Sequence, residues 1–440
     1  MNTLQAGFAR TNITPPLGIG LAGYYRKRKA EGILDELEAN CLALSCGETK
    51  VALVSVDHLG IGRSVIADIC LEVQKKIDIP AEAIYIHSTH THTAPFVEPD
   101  SDDPLVQEYY PAFFRKVVDA IVMAVHDLKP ARMGYCVGQA PDVAFIRRFR
   151  MKDGSTYTNA PMNNPDVVGP IGQVDERLNV LRFDREQDSI ILANFGNHPD
   201  TINGKKISAD WPGFVRRYTE QVIPNAKCLM LNGIQGDVNH VNRDPDAFVH
   251  YPGCDYSNAH RIGRVITGGI LQVYDKMRYV DVDTLKFAQR IIQAPSNMPK
   301  PEEMPEAHRI FDLFMSGQKH LLPHPGTMLQ TTIIADAVRK VRLEQGPAFF
   351  ELPLSGIALA GVAFIGIPGE PFSGVGFGLK DTAGWDMILP SCNTNGKEGY
   401  FPMMDAFEEG GYEALSSNFQ AGIAELIIAE GKALLQELRR

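Results

Sequence analysis

The stretch IYIHSTHTHTAP (residues 84–95) decides how this chain is read. Its first four residues are an apolar run of strand length, rich in β-branched and aromatic side chains. A burst of threonine and histidine follows. Four other strand-like runs end the same way. SIILANF (189–195) runs into GNHPD, CLML (228–231) into NGIQGDVNH, VAFIGI (362–367) into PGEPF, and MIL (387–389) into PSCNTNGKEGY. One such burst means a turn. Five imply loops gathered around a common pocket, where strands of a sheet-based enzyme release the chain.

Outward from this stretch, VALVSV (51–56) is a further buried strand. Amphipathic patterns predict helices over 64–77, 105–128, 213–222, 259–277, 333–343 and 412–438. The mixture predicts an α/β (mixed α+β) fold, a layered domain of β-sheets flanked by helices. No repeat or Gly/Ser-rich linker divides the chain, so residues 1–440 are expected to form a single catalytic domain. Residues 294–326, rich in proline, methionine and histidine, read as an insertion that either lids a site or is a plain surface excursion.

Composition narrows the function. The 440 residues carry a formal net charge of −10, spread along the chain, which argues against nucleic acid as a partner. No signal peptide and no run of roughly eighteen apolar residues is seen, so neither a membrane anchor nor a span is expected. The 7 cysteines are scattered without a Cys-x-x-Cys pair, as in a cytoplasmic protein with reduced thiols. A small-molecule substrate fits best. Homo-oligomerisation is left open.

His90 and His92 stand two apart at the end of a strand, so an extended chain would turn both rings to one side. Both could serve a metal, or one could bind metal while the other meets substrate. His87, at odd spacing to both, is expected to be structural or to support them. His198 precedes Pro199, and Glu370 directly follows a very apolar strand with Gly369 allowing close backbone approach. A carboxylate in such surroundings is costly unless paired or metal-bound. Two histidines and a carboxylate form a familiar catalytic zinc set. Asp57, Asp210 and Asp237 either orient the histidines, cap turns and helices, or belong to a second metal.

STHTHTAP, FGNHPDTI, NGIQGDVNHVN, IPGEPF and GKEGYF occur in the order found in the neutral ceramidase family of zinc amidohydrolases, which the chain resembles. GFARTNITPP, GLAGY, ILDELEANCLAL and VALVSVDHLG are similar to that family's opening. The resemblance runs from about Gly7 to about Tyr412. It implies that His90, His198, Glu370 and Tyr400 ligate one zinc ion (Zn2+), with His92, Arg147 and Tyr412 at the substrate. Arg148 is the less favoured alternative to Arg147.

Three departures limit the transfer. Thr93-Ala94-Pro95-Phe96-Val97 replaces the family's small Ser-Gly-Pro-Gly-Gly, and Asn239 stands where the family has a serine. The family's C-terminal β-sandwich domain is not expected here either. The resemblance therefore implies a zinc-dependent hydrolase cleaving an amide in a small soluble N-acyl or related compound. An esterase or lactonase with the same site, a true ceramidase and a non-catalytic metal-dependent binding protein are the alternatives.

Overall fold

The computed structural model describes residues 3–161, 163–243 and 255–440. Three sheets carry the fold, and each is built in the same way. The first contains β1 (Gln5–Asn12), β2 (Glu38–Cys46), β3 (Thr49–Val56) and β4 (Ile84–Ser88), in the spatial order β4-β3-β2-β1. The second contains β5 (Arg132–Gln139), β6 (Arg177–Asp184), β7 (Ser189–Phe195) and β8 (Ala226–Asn232), in the order β8-β7-β6-β5. The third contains β9 (Leu285–Pro295), β10 (Phe349–Leu359), β11 (Val362–Gly366) and β12 (Met387–Ser391), in the order β12-β11-β10-β9. Very short strands extend the free edges of the first two, at Lys129–Pro130 and Arg278–Val280.

In every sheet the first three strands are antiparallel and the fourth pairs parallel to the third. A parallel pair needs a crossover, and a helix supplies it each time. These helices are Arg63–Gln74, Asp210–Val222 and Ser373–Lys380. A second helix then follows and packs against the first: Pro104–His126, Tyr256–Tyr274 and Ile423–Arg439 respectively. The chain is thus a threefold β-β-β-α-β-α repeat that its sequence does not display.

The strands at 189–195, 51–56, 84–87, 228–231, 362–367 and 387–389 lie where their apolar runs predict, within a residue or two. Helix 412–438 does not. It divides into Tyr412–Ser416 and Ile423–Arg439, because the chain turns at Gly422 with a φ of +95°. Residues 294–326 contain the helix Met304–Met315, which packs on Met328–Leu343. This pair lies in the connection between the first two strands of its sheet. The connections after β1 and β5 are likewise long, so the apparent insertion is one of three equivalent excursions.

The largest buried cluster draws on all three sheets, through Leu42, Leu53 and Ile86, then Leu181, Leu192 and Leu229, then Ile357, Phe364 and Leu389. His87 joins them. It sits on β4, fully buried. Its Nε2 accepts the backbone N–H of Asn232 at the end of β8, 2.9 Å away. Its Nδ1 must then carry the proton, and it donates to the carbonyl of Cys392 just past β12 at 2.8 Å. One neutral imidazole therefore links three sheets, a structural role within its sequence expectation. The six described cysteines are free thiols, and Cys254 lies outside the described residues. No described helix is long and apolar enough to cross a membrane.

Burial pushes the His87 imidazolium down to a pKa of about 3, against about 6.5 for an exposed histidine. Its contribution to stability is complete above pH 6.5 and is lost as pH falls from there toward 3, because the unfolded chain takes the proton first. Replacing His87 with Ala strands a buried N–H and a buried carbonyl, and should cost about 3 kcal/mol in urea unfolding at pH 7. The gap between wild type and His87→Gln should narrow below pH 6.5 by up to about 1.4 kcal/mol per pH unit. A gap that stays constant down to pH 4 would show that His87 is not held neutral.

Candidate metal centre

The loops that leave the parallel strand pairs converge, as placement at the carboxyl ends of strands requires. Strand β4 ends at Ser88, and His90 adopts a left-handed φ of +75°. The two histidines are therefore not on an extended chain. The twist at His90, rather than alternation, brings their rings together, with centroids 5.0 Å apart. Thr91 turns away and donates to the carbonyl of Ser208 at 2.7 Å. The ring of His198, delivered after β7, lies 4.8 Å from that of His90 and 5.3 Å from that of His92. The donor atoms of all three imidazoles fall within 4.8 Å of one another.

Backbone carbonyls aim the first and third rings. Nδ1 of His90 donates to Leu59 O at 2.6 Å, and Nδ1 of His198 donates to Gln235 O at 3.3 Å. Each ring is left with its Nε2 lone pair facing inward. Both lone pairs face the same atom, Oε2 of Glu370, at 3.3 Å from His90 and 3.4 Å from His198. His198 Nε2 and Glu370 Oε2 are buried with no hydrogen-bond partner. Burial, with Arg147 and His90 adding to it, drives the His198 pKa down to about 3, so no proton there relieves the crowding. Burial alone would raise the Glu370 carboxyl, but His90 and His198 bring it down to about 2.

Three electron-rich atoms so placed call for a cation. Donors about 2.1 Å from a tetrahedral zinc stand about 3.4 Å from one another, which matches the separation of Glu370 Oε2 from each of the two nitrogens. The donor set fits the ion.

Glu370 and Tyr400 are paired residues of a short parallel bridge between Glu370–Pro371 and Tyr400–Phe401. The approach is close enough that a Cβ on Gly369 would lie 2.5 Å from Gly399 O, and one on Gly236 would lie 2.4 Å from Glu370 O. Burial, and then the Glu370 charge, raise the Tyr400 phenol well above its ordinary pKa. A dication bound beside the phenol would reverse that balance. Tyr412 lies 5.6 Å from Tyr400, ring to ring, and burial likewise keeps its phenol protonated. Arg147 is spent on the protein, holding Glu413 and Gly236 O at 2.7 Å each, with its guanidinium 5.4 Å over the Tyr400 ring. Arg148 points elsewhere, to Glu409 at 3.1 Å.

His92 is the exception among the buried histidines. Neither ring nitrogen has a partner. Burial, with the neighbouring His90, keeps it neutral. Its backbone N–H donates to Pro199 O at 3.1 Å, tying its loop to that of His198. Gly23, at φ +100°, makes room for it, since a Cβ there would lie 2.6 Å from Nδ1. Sequence reasoning missed Gly23, along with Tyr24, whose ring meets His92 edge-on at 5.0 Å. It also missed Asn393, whose amide lies 3.1 Å from His90 Nδ1. GLAGY and CNTNG are both conspicuous in the sequence, but nothing local says what they face.

The aspartates do not orient the metal-facing rings. Asp57 binds Arg216 and the Glu38 N–H at 2.9 Å each. Asp210 accepts from the N–H groups of Ile202 at 3.1 Å and Trp211 at 2.6 Å. Asp237 caps the helix Ser373–Lys380 through the Ser373 N–H at 2.7 Å. Among the described residues none of them joins a three-donor group.

His90, His92, Glu370, Tyr400 and Tyr412 open on a cleft of about 770 Å³, a size suited to a small organic ligand. Its walls include Tyr24 and Tyr25, Phe96, Phe314 and Phe350, with Glu98, Arg342, Lys397 and Glu398 among them. Phe314 comes from the 294–326 excursion and stands edge-on to Tyr25, ring centroids 5.9 Å apart.

Two solved structures share this architecture. Neutral ceramidase from Pseudomonas aeruginosa matches with a TM-score of 0.74 at 17% identity, over 100% of this chain and 75% of that one. A ceramidase complexed with C2 matches with a TM-score of 0.75 at 16% identity, over 100% of this chain and 76% of that one. The fold is that of neutral ceramidase. No family model matches the chain, and no curated protein does.

Purified protein reconstituted with zinc should hold one ion per chain by elemental analysis. His198→Ala and Glu370→Gln should each weaken zinc binding by about 100-fold or more in a chelator competition. Unchanged affinity in both would rule out a centre between these residues.

Proposed function

We propose that this chain is a zinc-dependent amidohydrolase acting on a small N-acyl compound. In this reading one ion is held by His90, His198, Glu370 and Tyr400, while His92 and Tyr412 face the substrate. The observation that carries it is the meeting of two Nε2 lone pairs on a single carboxylate oxygen, buried and otherwise unsatisfied. The shared fold with neutral ceramidase supports an amide as the bond cleaved.

Zinc held by these residues would supply Lewis acidity and make water a usable nucleophile near neutral pH. The residues of the chain do the rest. Tyr412, kept protonated by burial, donates a hydrogen bond to the carbonyl oxygen as negative charge develops on it. His92, neutral and with both nitrogens unused, takes a proton and returns it to the leaving nitrogen. Arg147 acts from behind. It holds the Tyr400 ring and Glu413 rather than the substrate, because its charge is paired with Glu413 and one donor is taken by Gly236 O. An ester or lactone carbonyl would meet the same groups.

The cleft is lined by both aromatic and charged side chains. Aromatic walls carrying Glu98, Arg342, Lys397 and Glu398 favour a substrate with an apolar part and a charged end, whereas ceramide carries no charge. A second reading has a specific observation in its favour. The donors of His92 also lie close to those of His90 and His198, so His92 could be a third imidazole ligand. The two readings separate on one variant. Under the first, His92→Ala keeps its zinc and loses about 100-fold or more in kcat on an N-acyl amide. Loss of zinc from His92→Ala would make it a ligand. Equal, negligible turnover by zinc-loaded wild type and variant across amides, esters and lactones would leave a binding protein.

A further inference from the structure

The long connection in the third repeat brings Met328–Leu343 against the cleft, and Arg342 lines its wall. The other basic groups nearby are occupied. Lys397 reaches Glu98 at 2.8 Å. Arg339, on the same helix, is taken up by Asp336 at 2.8 Å and by the carbonyls of Leu415 and Asn297. Arg147 is held by Glu413. Arg342 differs from all of these. Its one hydrogen bond within the protein goes to the side-chain oxygen of Asn418, and Glu398 acts on it only as a more distant charge.

A guanidinium has five N–H donors in a planar fork. One neutral amide oxygen leaves most of that fork open toward the cleft. The side chain is exposed on the cleft wall, so an incoming anion meets those donors without displacing a protein carboxylate from them. The position relative to the metal centre is also informative. Arg342, Tyr25 and Tyr412 line the same cleft, and the ring of Tyr412 lies 5.6 Å from that of Tyr400. An anion on Arg342 therefore lies a few side chains from the group that would meet the scissile carbonyl. Phe314 and Tyr25 flank the space between with aromatic surface.

We propose that Arg342 is a specificity-determining residue that binds a carboxylate on the substrate, making the preferred substrates anionic amides such as N-acyl amino acids. The inference rests on the amidohydrolase reading for its chemistry, but its binding step can be tested without turnover. A planar carboxylate matches the fork bidentately, whereas the ammonium of a lysine at that place would act only as a point charge.

The test compares N-hexanoyl amino acids with their methyl esters, which keep the amide and the apolar chain but lose the charge. Zinc-loaded wild type should show kcat/KM for the carboxylate about 30-fold or more above that for the methyl ester, the difference lying mainly in KM. Arg342→Gln should abolish that ratio, and Arg342→Lys should restore part of it. Equilibrium binding of the N-hexanoyl amino acid to His92→Ala, followed by calorimetry, gives the second readout. There, adding Arg342→Gln should weaken binding about 30-fold. A ratio near one in wild type, or a ratio that survives Arg342→Gln, overturns the role of Arg342 and leaves the amidohydrolase reading standing. Arg342-dependent binding with no turnover by any form leaves the carboxylate subsite standing and overturns the amidohydrolase.

Discussion

The structure depends on a three-way junction made by one uncharged imidazole. His87 takes a backbone N–H from the end of β8 and gives a proton to the backbone just beyond β12, while its own strand lies in the first sheet. Both partners sit where strands release the chain, so each would be a buried unsatisfied group without it. Smaller bonds reinforce the junction. The Asn194 amide reaches Leu231 O and Pro390 O, and Ser55 reaches Met230 O. The carboxyl ends of three sheets are thereby held in register around one axis. The proposed metal ligands hang on the loops that begin there, so the junction sets the spacing of those side chains.

Around that junction the repeat divides labour. The ends of the parallel strands give the proposed ligands: His90 from the first unit, His198 from the second, Glu370 and Tyr400 from the third. The long connections between first and second strands give the surroundings. They supply Gly23, Tyr24 and Tyr25 from the first unit, Arg147 from the second, and Phe314 and Arg342 from the third. Ligands need positional precision, and rigid strand ends provide it; cleft walls can vary without disturbing the centre. That division lets a chain keep the ceramidase fold at 16–17% identity, since its cleft walls are carried on the long connections.

The elements most legible in the sequence are those whose signal is local. The buried strands announce themselves as apolar runs, and the polar bursts after them mark where the chain emerges. The apolar periodicity over 412–438 continues through the break that Gly422 creates, so it does not show the two helices the structure has. The 294–326 segment reads as an insertion because its counterparts after β1 and β5 have no helices among the described residues, and equivalence is visible only in the topology. Alternation along an extended strand gave the right expectation for His90 and His92 on the wrong grounds. The φ of +75° at His90 does what alternation was supposed to do.

The sequence by itself determined the fold class, the strand ends at which polar residues collect, and the residue types able to hold a metal. These follow from hydrophobic period and side-chain chemistry, which act over a few residues. Only the tertiary structure decided which atoms of those residues face one another. The inward aim of His90 and His198 is set by carbonyls of Leu59 and Gln235, the seat of Glu370 by its bridge to Tyr400, and the occupation of Arg147 by Glu413. Asp57, Asp210 and Asp237 looked as suitable as any for orienting the histidines, and backbone oxygens do that work instead. A carbonyl is present at every residue and leaves no mark in the sequence, so its part in a site is fixed by packing alone.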